Sequence, residues 1–221
     1  MHRLQHRVEA RQIPTIYRAF WPGKPGQVSP ARCTPHEPPL VRPARRVLCV
    51  LTMADALIVH ELGCNESVFW ERLFFDNAFN RRLFLDELKF AGWRVVRQSD
   101  LGSDPVEFEV EATPPIGDLP GPLRAIVGDG ISYRELGKCD RKRRRYTVQA
   151  KSNTLGDKLL VDGELITEAI DEHRCRRIFK VRVTAKLFGV GGMLEKRVIA
   201  DLERNYAVSA RFINQHLKTM T

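Results

Sequence analysis

Beyond residue 53 the chain switches between two hydrophobic periods, and their order predicts an architecture. "ALIVHEL" (residues 56–62) reads as a strand. "NESVFWERLFFDNAFNRRLFLDELK" then carries Phe69, Trp70, Leu73, Phe74, Phe79, Leu83, Phe84 and Leu88 at helical spacing and reads as two short helices. Asn65 suits the N-cap of the first, and Asp76 or Asn77 can restart the second, because their side-chain oxygens accept from the free N–H groups of a first helical turn. Period two follows. "GWRVVRQS" sets Trp93 and Val95 on one face, and "PVEFEVEA" alternates Val106, Phe108 and Val110 against Glu107, Glu109 and Glu111. "TPPIGDLPGPLRAIVGDG" breaks the pattern and predicts a loop with one helical turn near Leu123–Val127. "ISYREL", "RYTVQAKS", "KLLVDGELITEA" and "RCRRIFKVRVTAKL" read as four further strands with short connections, as antiparallel hairpins allow. The final segment predicts a helix from about Gly192 to Leu217, with Val198, Leu202, Tyr206, Ser209, Ile213 and Leu217 along one stripe.

One strand, two short helices, about six strands and one long helix define an α+β order. Strands and helices do not alternate, which excludes a parallel α/β fold. A curved antiparallel sheet of about six to seven strands must cover one face, and only the last helix is long enough to cross it.

Composition divides the chain. Residues 1–52 hold nine Lys/Arg, two acids and eight of the thirteen prolines. Proline fixes φ and removes a donor, so this stretch is expected to be extended or disordered, apart from a globular domain over residues 53–221. It can act as a basic tail against anionic surfaces, as an Arg-rich targeting segment, or as nothing that the folded unit needs; Met53, where the composition turns globular, is a candidate native start. The remaining residues hold 27 bases against 25 acids. The net charge of +9 therefore describes the tail, and it is poor support for a nucleic-acid partner. Five widely spaced cysteines without C-x-x-C argue against zinc or a disulfide framework and fit a reducing cytoplasm. No run reaches the length of a membrane span.

Three motifs bear on chemistry. "KLFGVGGMLEKRV" has the strand, glycine, helix order of a phosphate cradle. It lacks the Lys-Ser/Thr pair of a nucleotide loop and a following strand, so its glycines read as a sharp bend into the last helix, with a pocket lip as a second role. Residues 138–145 hold Lys138, Arg141, Lys142, Arg143, Arg144 and Arg145 with a single acid, Asp140, at an expected hairpin tip. This is either a solvated turn or a contact for anionic lipid headgroups. It lacks the interleaved aromatics of a base-stacking surface. His60, His173 and His216 are isolated, no H-E-x-x-H or G-x-S-x-G occurs, and neither catalytic residues, a metal site nor a cofactor is assigned.

"FGVGGMLEKRVIADLERNYAVSARFINQHL" resembles the closing helix of the START-like (helix-grip, polyketide cyclase/lipid-transport, SRPBCC) superfamily. It is most like a bacterial family of unknown function within it, with a more distant similarity to VASt-type lipid-binding domains. "FEVEATPPIGDLPGPLRAIVGDGISYRE" and "VHELGCNESVFWERLFFDNAFNRRLF" fit the same pattern. The resemblance covers about Ala56 to Leu217. It implies a helix-grip fold with a hydrophobic cavity, in a superfamily whose members bind lipids, sterols, polyketides or quinones and include some enzymes. Strand alternation then names cavity candidates. Arg177 shares a face with Phe179, Val181 and Val183; Glu135 with Ile131 and Tyr133; Tyr146 with Val148; Trp93 and Phe108 complete the set. A charge inside such a cavity must be paired, solvated at a mouth or engaged with ligand. The expected function is binding of a hydrophobic or amphipathic molecule by a cytoplasmic protein, with transport as its extension and a peripheral place at a membrane if the basic hairpin docks there. A cyclase- or aromatase-like enzyme and an interaction module with a vestigial cavity remain alternatives, and the oligomeric state is open.

Overall fold

The computed structural model describes residues 53–128 and 130–219; the Pro- and Arg-rich stretch over residues 1–52 lies outside them. The chain enters through strand β1 (Ala54–Leu62). Helix α1 (Glu66–Val68) follows and widens into a π turn over Phe69–Phe74. Helix α2 (Asn77–Arg81) does the same over Arg82–Glu87. Both expected caps are made: Asn65 Oδ1 accepts from the Val68 amide at 3.0 Å, and Asp76 Oδ1 from Ala78 and Phe79 at 2.8 and 3.0 Å. The π turns were not legible in the spacing. Their wider turn brings Phe69, Trp70 and Leu73 to the core together.

Then come β2 (Gly92–Gln98), β3 (Val106–Thr113), the short helix α3 (Gly121–Val127), β4 (Tyr133–Asp140), β5 (Arg145–Ser152), β6 (Gly156–Ala169) and β7 (Cys175–Ala185). The seven strands form one antiparallel sheet in the order β1-β7-β6-β5-β4-β3-β2. The first strand therefore pairs with the last, Ile58 opposite Phe179 and His60 opposite Arg177. A bulge between Val95 and Arg97 shifts the register of β2 on β3.

Helix α4 (Gly191–Lys218) packs against β1, β7 and the second π turn. Its entry bend has Gly189 at φ 77°, a left-handed conformation that glycine adopts without strain. The Gly191 amide donates to the Leu187 carbonyl at 2.9 Å. Glu195 is 2% exposed, and its Oε1 accepts from the Ala185 amide at 2.8 Å, tying the helix start to the end of β7. So the glycine motif works as a bend that lays the helix across the sheet. Sheet and helix share one core containing Leu62, Leu73, Val106, Leu123, Val183 and Ile213. Along α4, Leu194 near one end and Ala210, Phe212 and Ile213 near the other are buried. Val198, Leu202 and Tyr206 between them are only half-buried.

Candidate ligand-binding cavity

The middle of α4 is incompletely packed because a cavity of about 370 Å³ lies between it and the sheet. Ligand pockets commonly measure about 300–1,000 Å³. Aliphatic wall comes from the sheet through Val110, Val148, Val161 and Leu165, and from the helix through Leu194 and Leu202. All seven residues chosen by strand alternation line this one space: Trp93, Phe108 and Phe179 among the apolar wall, and Tyr133, Glu135, Tyr146 and Arg177 as its polar groups. Alternation could not supply the helical contribution, which includes Phe74 and Phe84 from the π turns and Tyr206 from α4.

Aromatic pairs fix the wall. Phe84 stacks on Trp93 with centroids 5.1 Å apart and an interplanar angle of 5°, and Phe179 on Tyr206 at 4.6 Å and 11°. Tyr146 meets Phe74 and Phe108 edge to face at 5.1 and 6.0 Å. Two glycines make room for these rings. A Cβ at Gly163 on β6 would stand 2.5 Å from the Phe179 ring, and one at Gly137 on β4 would collide with Tyr146.

The polar groups sit at different places on the wall. The Tyr146 hydroxyl donates to Glu135 Oε1 at 2.5 Å. Tyr133, Glu135 and Tyr206 line the cavity and are half-buried. Burial raises the Glu135 carboxyl above the usual carboxylate range, offset in part by the Tyr146 bond. Burial also raises the phenols of Tyr133, Tyr146 and Tyr206. Arg177 is 5% exposed. Its Nη1 donates to Ser209 Oγ and its Nη2 to the Tyr206 carbonyl, both at 2.9 Å. The guanidinium lies 4.8 Å from the Tyr206 ring centre. Its Nε has no hydrogen-bond partner.

The lining also includes the polar Arg197, Asp201, Arg204 and Asn205 of α4 and Pro114, Pro115, Ile116 and Leu119 of the β3–α3 connection. Arg197 bridges the two: Nη1 donates to the Asp118 carbonyl at 2.7 Å and Nε to Asp201 Oδ2 at 2.9 Å. We take this end as the mouth.

The basic hairpin differs from its sequence count. Lys138 pairs with Glu107 at 2.9 Å, Lys142 with Asp104 at 3.4 Å, Arg143 with Asp140 at 3.7 Å, Arg144 with Glu66 at 3.2 Å and Arg145 with Glu164. Arg141 donates to the Leu101 carbonyl at 2.6 Å and lies over the Phe75 ring. Five of the six cations thus meet a carboxylate, four of the five carboxylates coming from other segments of the chain. The hairpin sits at the end of β4 and β5 away from Tyr133 and Ser152.

His60 does not line the cavity. It stands on β1 opposite Arg177, its Nδ1 unpartnered, and burial together with the charges of Arg177 and Arg211 pushes its pKa down. Cys64, Cys139 and Cys175 are free, buried thiols. Among the described residues no group of three or more His, Cys, Asp or Glu converges as a metal site requires. No helix among them is long and apolar enough to cross a membrane.

A seven-stranded antiparallel sheet curved around a long C-terminal helix, with two short helical segments after the first strand, is the helix-grip, START-like fold. Within it, residues 81–217 match the family described as "Protein of unknown function (DUF2505)", and the chain belongs to that family. Among solved structures it is similar to the ZhuI aromatase/cyclase from Streptomyces sp. R1128, with a TM-score of 0.55 and 12% identity over 76% of this chain and 94% of that one. Norcoclaurine synthase from Thalictrum flavum gives 0.52 and 13% over 76% and 87%, and a protein from Thermus thermophilus gives 0.52 and 12% over 76% and 99%. Identities this low carry the fold alone. No curated protein matches the sequence.

Proposed function

We propose that the chain binds a hydrophobic or amphipathic, lipid-like small molecule in the cavity between sheet and α4. The observation that carries the proposal is a space of about 370 Å³ between sheet and helix whose aliphatic and aromatic wall is interrupted by a few polar groups. Burying a ligand's apolar area there is worth about 25 cal/mol per Å², and a few polar groups would set its orientation. The ZhuI aromatase/cyclase and norcoclaurine synthase share the fold, which supports a small-molecule role for this cavity. If the molecule is carried between membranes, the face to test is the mouth around Arg197 and Asp118. The cations of the β4–β5 hairpin are already engaged within the protein, and they lie at the far end of the strands. Native mass spectrometry of the full chain purified from its host is expected to reveal a small apolar adduct that is lost on denaturation. A protein that is repeatedly ligand-free and also takes up no N-phenyl-1-naphthylamine, a neutral apolar fluorophore, overturns the proposal.

A second reading, an enzyme of the same fold acting on a polyketide-like substrate, is favoured by one feature: the Glu135–Tyr146 pair inside the cavity. A carboxyl whose pKa burial raises holds its proton to a higher pH than a free one and can deliver it to a substrate. Conversion of a linear β-polyketone thioester by the native chain but not by Glu135→Gln supports it. Equal behaviour of the two proteins removes it. His60 lies outside the cavity and has no part in this reading.

A further inference from the structure

Among the described residues, Arg177 is a buried cation that no carboxylate pairs with. It occupies an inward position of β7, with Cys175 and Phe179 on either side along the same face, where the strand otherwise carries apolar residues. Its two hydrogen bonds go to neutral acceptors, Ser209 Oγ and the Tyr206 carbonyl, and its remaining contact is the Tyr206 ring. Among the described residues it makes no ion pair. The two acids of the cavity lining are occupied elsewhere: Glu135 accepts from Tyr146, and Asp201 pairs with Arg197 and Arg204 at the mouth. A guanidinium is charged at any physiological pH, and burying a charge without a counter-ion is costly. The fit to Ser209 and Tyr206 ties β7 to α4, but a neutral donor could do that without the desolvation cost. His60, on the register-paired residue, supplies no counter-charge either: its Nδ1 is also unpartnered, and burial and the neighbouring arginines push its pKa down.

We propose, resting on the ligand-cavity reading above, that Arg177 is the headgroup site of the cavity and that the bound molecule is an amphipathic acid. Its apolar body would lie along the Phe179, Val161 and Leu202 wall, and its carboxylate would pair with the Arg177 guanidinium. The planar fork of Arg matches a carboxylate. A single interior cation matches a single negative charge; the other lining bases, Arg197 and Arg204, are engaged with Asp201 at the mouth, so a phosphate dianion is not the fitting head.

The test titrates the full chain calorimetrically with sodium dodecanoate, 1-dodecanol and methyl dodecanoate, each below its aggregation concentration. The acid is expected to bind about ten- to a hundred-fold more tightly than the alcohol or the ester, as a charge-assisted hydrogen bond would give. Arg177→Met should remove that preference while keeping the affinity for the alcohol, and Arg177→Lys should retain part of it. If Arg177→Met fails to fold, judged by circular dichroism, the discrimination by the native chain and by Arg177→Lys decides. Equal affinity for acid and alcohol overturns the headgroup assignment and leaves the apolar cavity standing. An acid preference undiminished in a folded Arg177→Met places the head elsewhere and also overturns it. Failure of all three probes to bind overturns both this inference and the reading it rests on.

Discussion

Gly137 and Gly163 decide where the cavity's rings stand, and neither could be picked out by reading along a single strand. Alternation is binary, so it places Tyr146 and Phe179 on the inward face, but the space each ring occupies is set by a residue on the neighbouring strand. A glycine inside a strand weakens it and often marks a close approach. Here the approach is a ring lying where a Cβ would be. Gly137→Ala is expected to displace Tyr146 from Glu135 and to lower stability by about 1–3 kcal/mol, the usual cost of overpacking. Gly121→Ala, where a Cβ meets nothing within 4 Å, should change stability far less. Urea denaturation of the two variants checks the contrast, and equal midpoints would refute it. Glu135 makes a second prediction. Its folded pKa is raised above the ordinary 4.5 by burial, so the folded protein resists ionising it while the unfolded chain does not. Stability from this group is fully present below pH 4.5 and is lost as pH rises towards the folded pKa. Glu135→Gln keeps an acceptor for Tyr146 and cannot ionise. Its melting temperature relative to the native chain should therefore climb as pH increases from 4.5. A constant difference between about pH 4 and pH 8 would rule out a raised pKa.

At the scale of elements, the order of strands and helices was legible because each hydrophobic run keeps one period from cap to turn. Asn65 and Asp76 marked helix starts through short-range chemistry alone. Departures from regular period were not legible: the π turns over Phe69–Phe74 and Arg82–Glu87 and the bulge near Val95 each insert one residue, and a hydrophobic pattern tolerates that without changing its composition. The ion pairing of the β4–β5 hairpin was not legible for a related reason. The run over residues 138–145 counts +5 locally, but Glu66, Asp104, Glu107 and Glu164 reach it only through the fold. Long-range pairing also governs the mouth. The connection after β3 is held to α4 by the Arg197 bond to the Asp118 carbonyl. Arg197→Ala should speed hydrogen exchange of the amides over residues 116–119 while those of the α4 core, Ser209–Ile213, stay protected. Global stability should fall by no more than about 1 kcal/mol, since the ion pair to Asp201 is partly exposed. Unchanged exchange in that connection would mean that the bond does not hold it.

For the whole molecule, the cavity is a stability deficit that the fold tolerates. Unfilled apolar space forfeits dispersion contacts on every wall, and functional sites commonly sit where stability has been given up. Ala150 offers a direct probe. It lies on β5 in one rung with Glu135 on β4 and Val161 on β6, and its methyl group faces the cavity. Ala150→Leu adds three carbons pointing into open space rather than into a packed core. The substitution is expected to raise stability by about 1 kcal/mol through added apolar burial, and to reduce uptake of N-phenyl-1-naphthylamine in parallel. The two readouts must move in opposite directions for the cavity to be a real, ligand-accessible void. A loss of stability would mean that the wall is already close-packed at Ala150. A gain in stability with undiminished uptake would move the ligand site away from the Glu135–Ala150–Val161 rung, towards the mouth at Arg197.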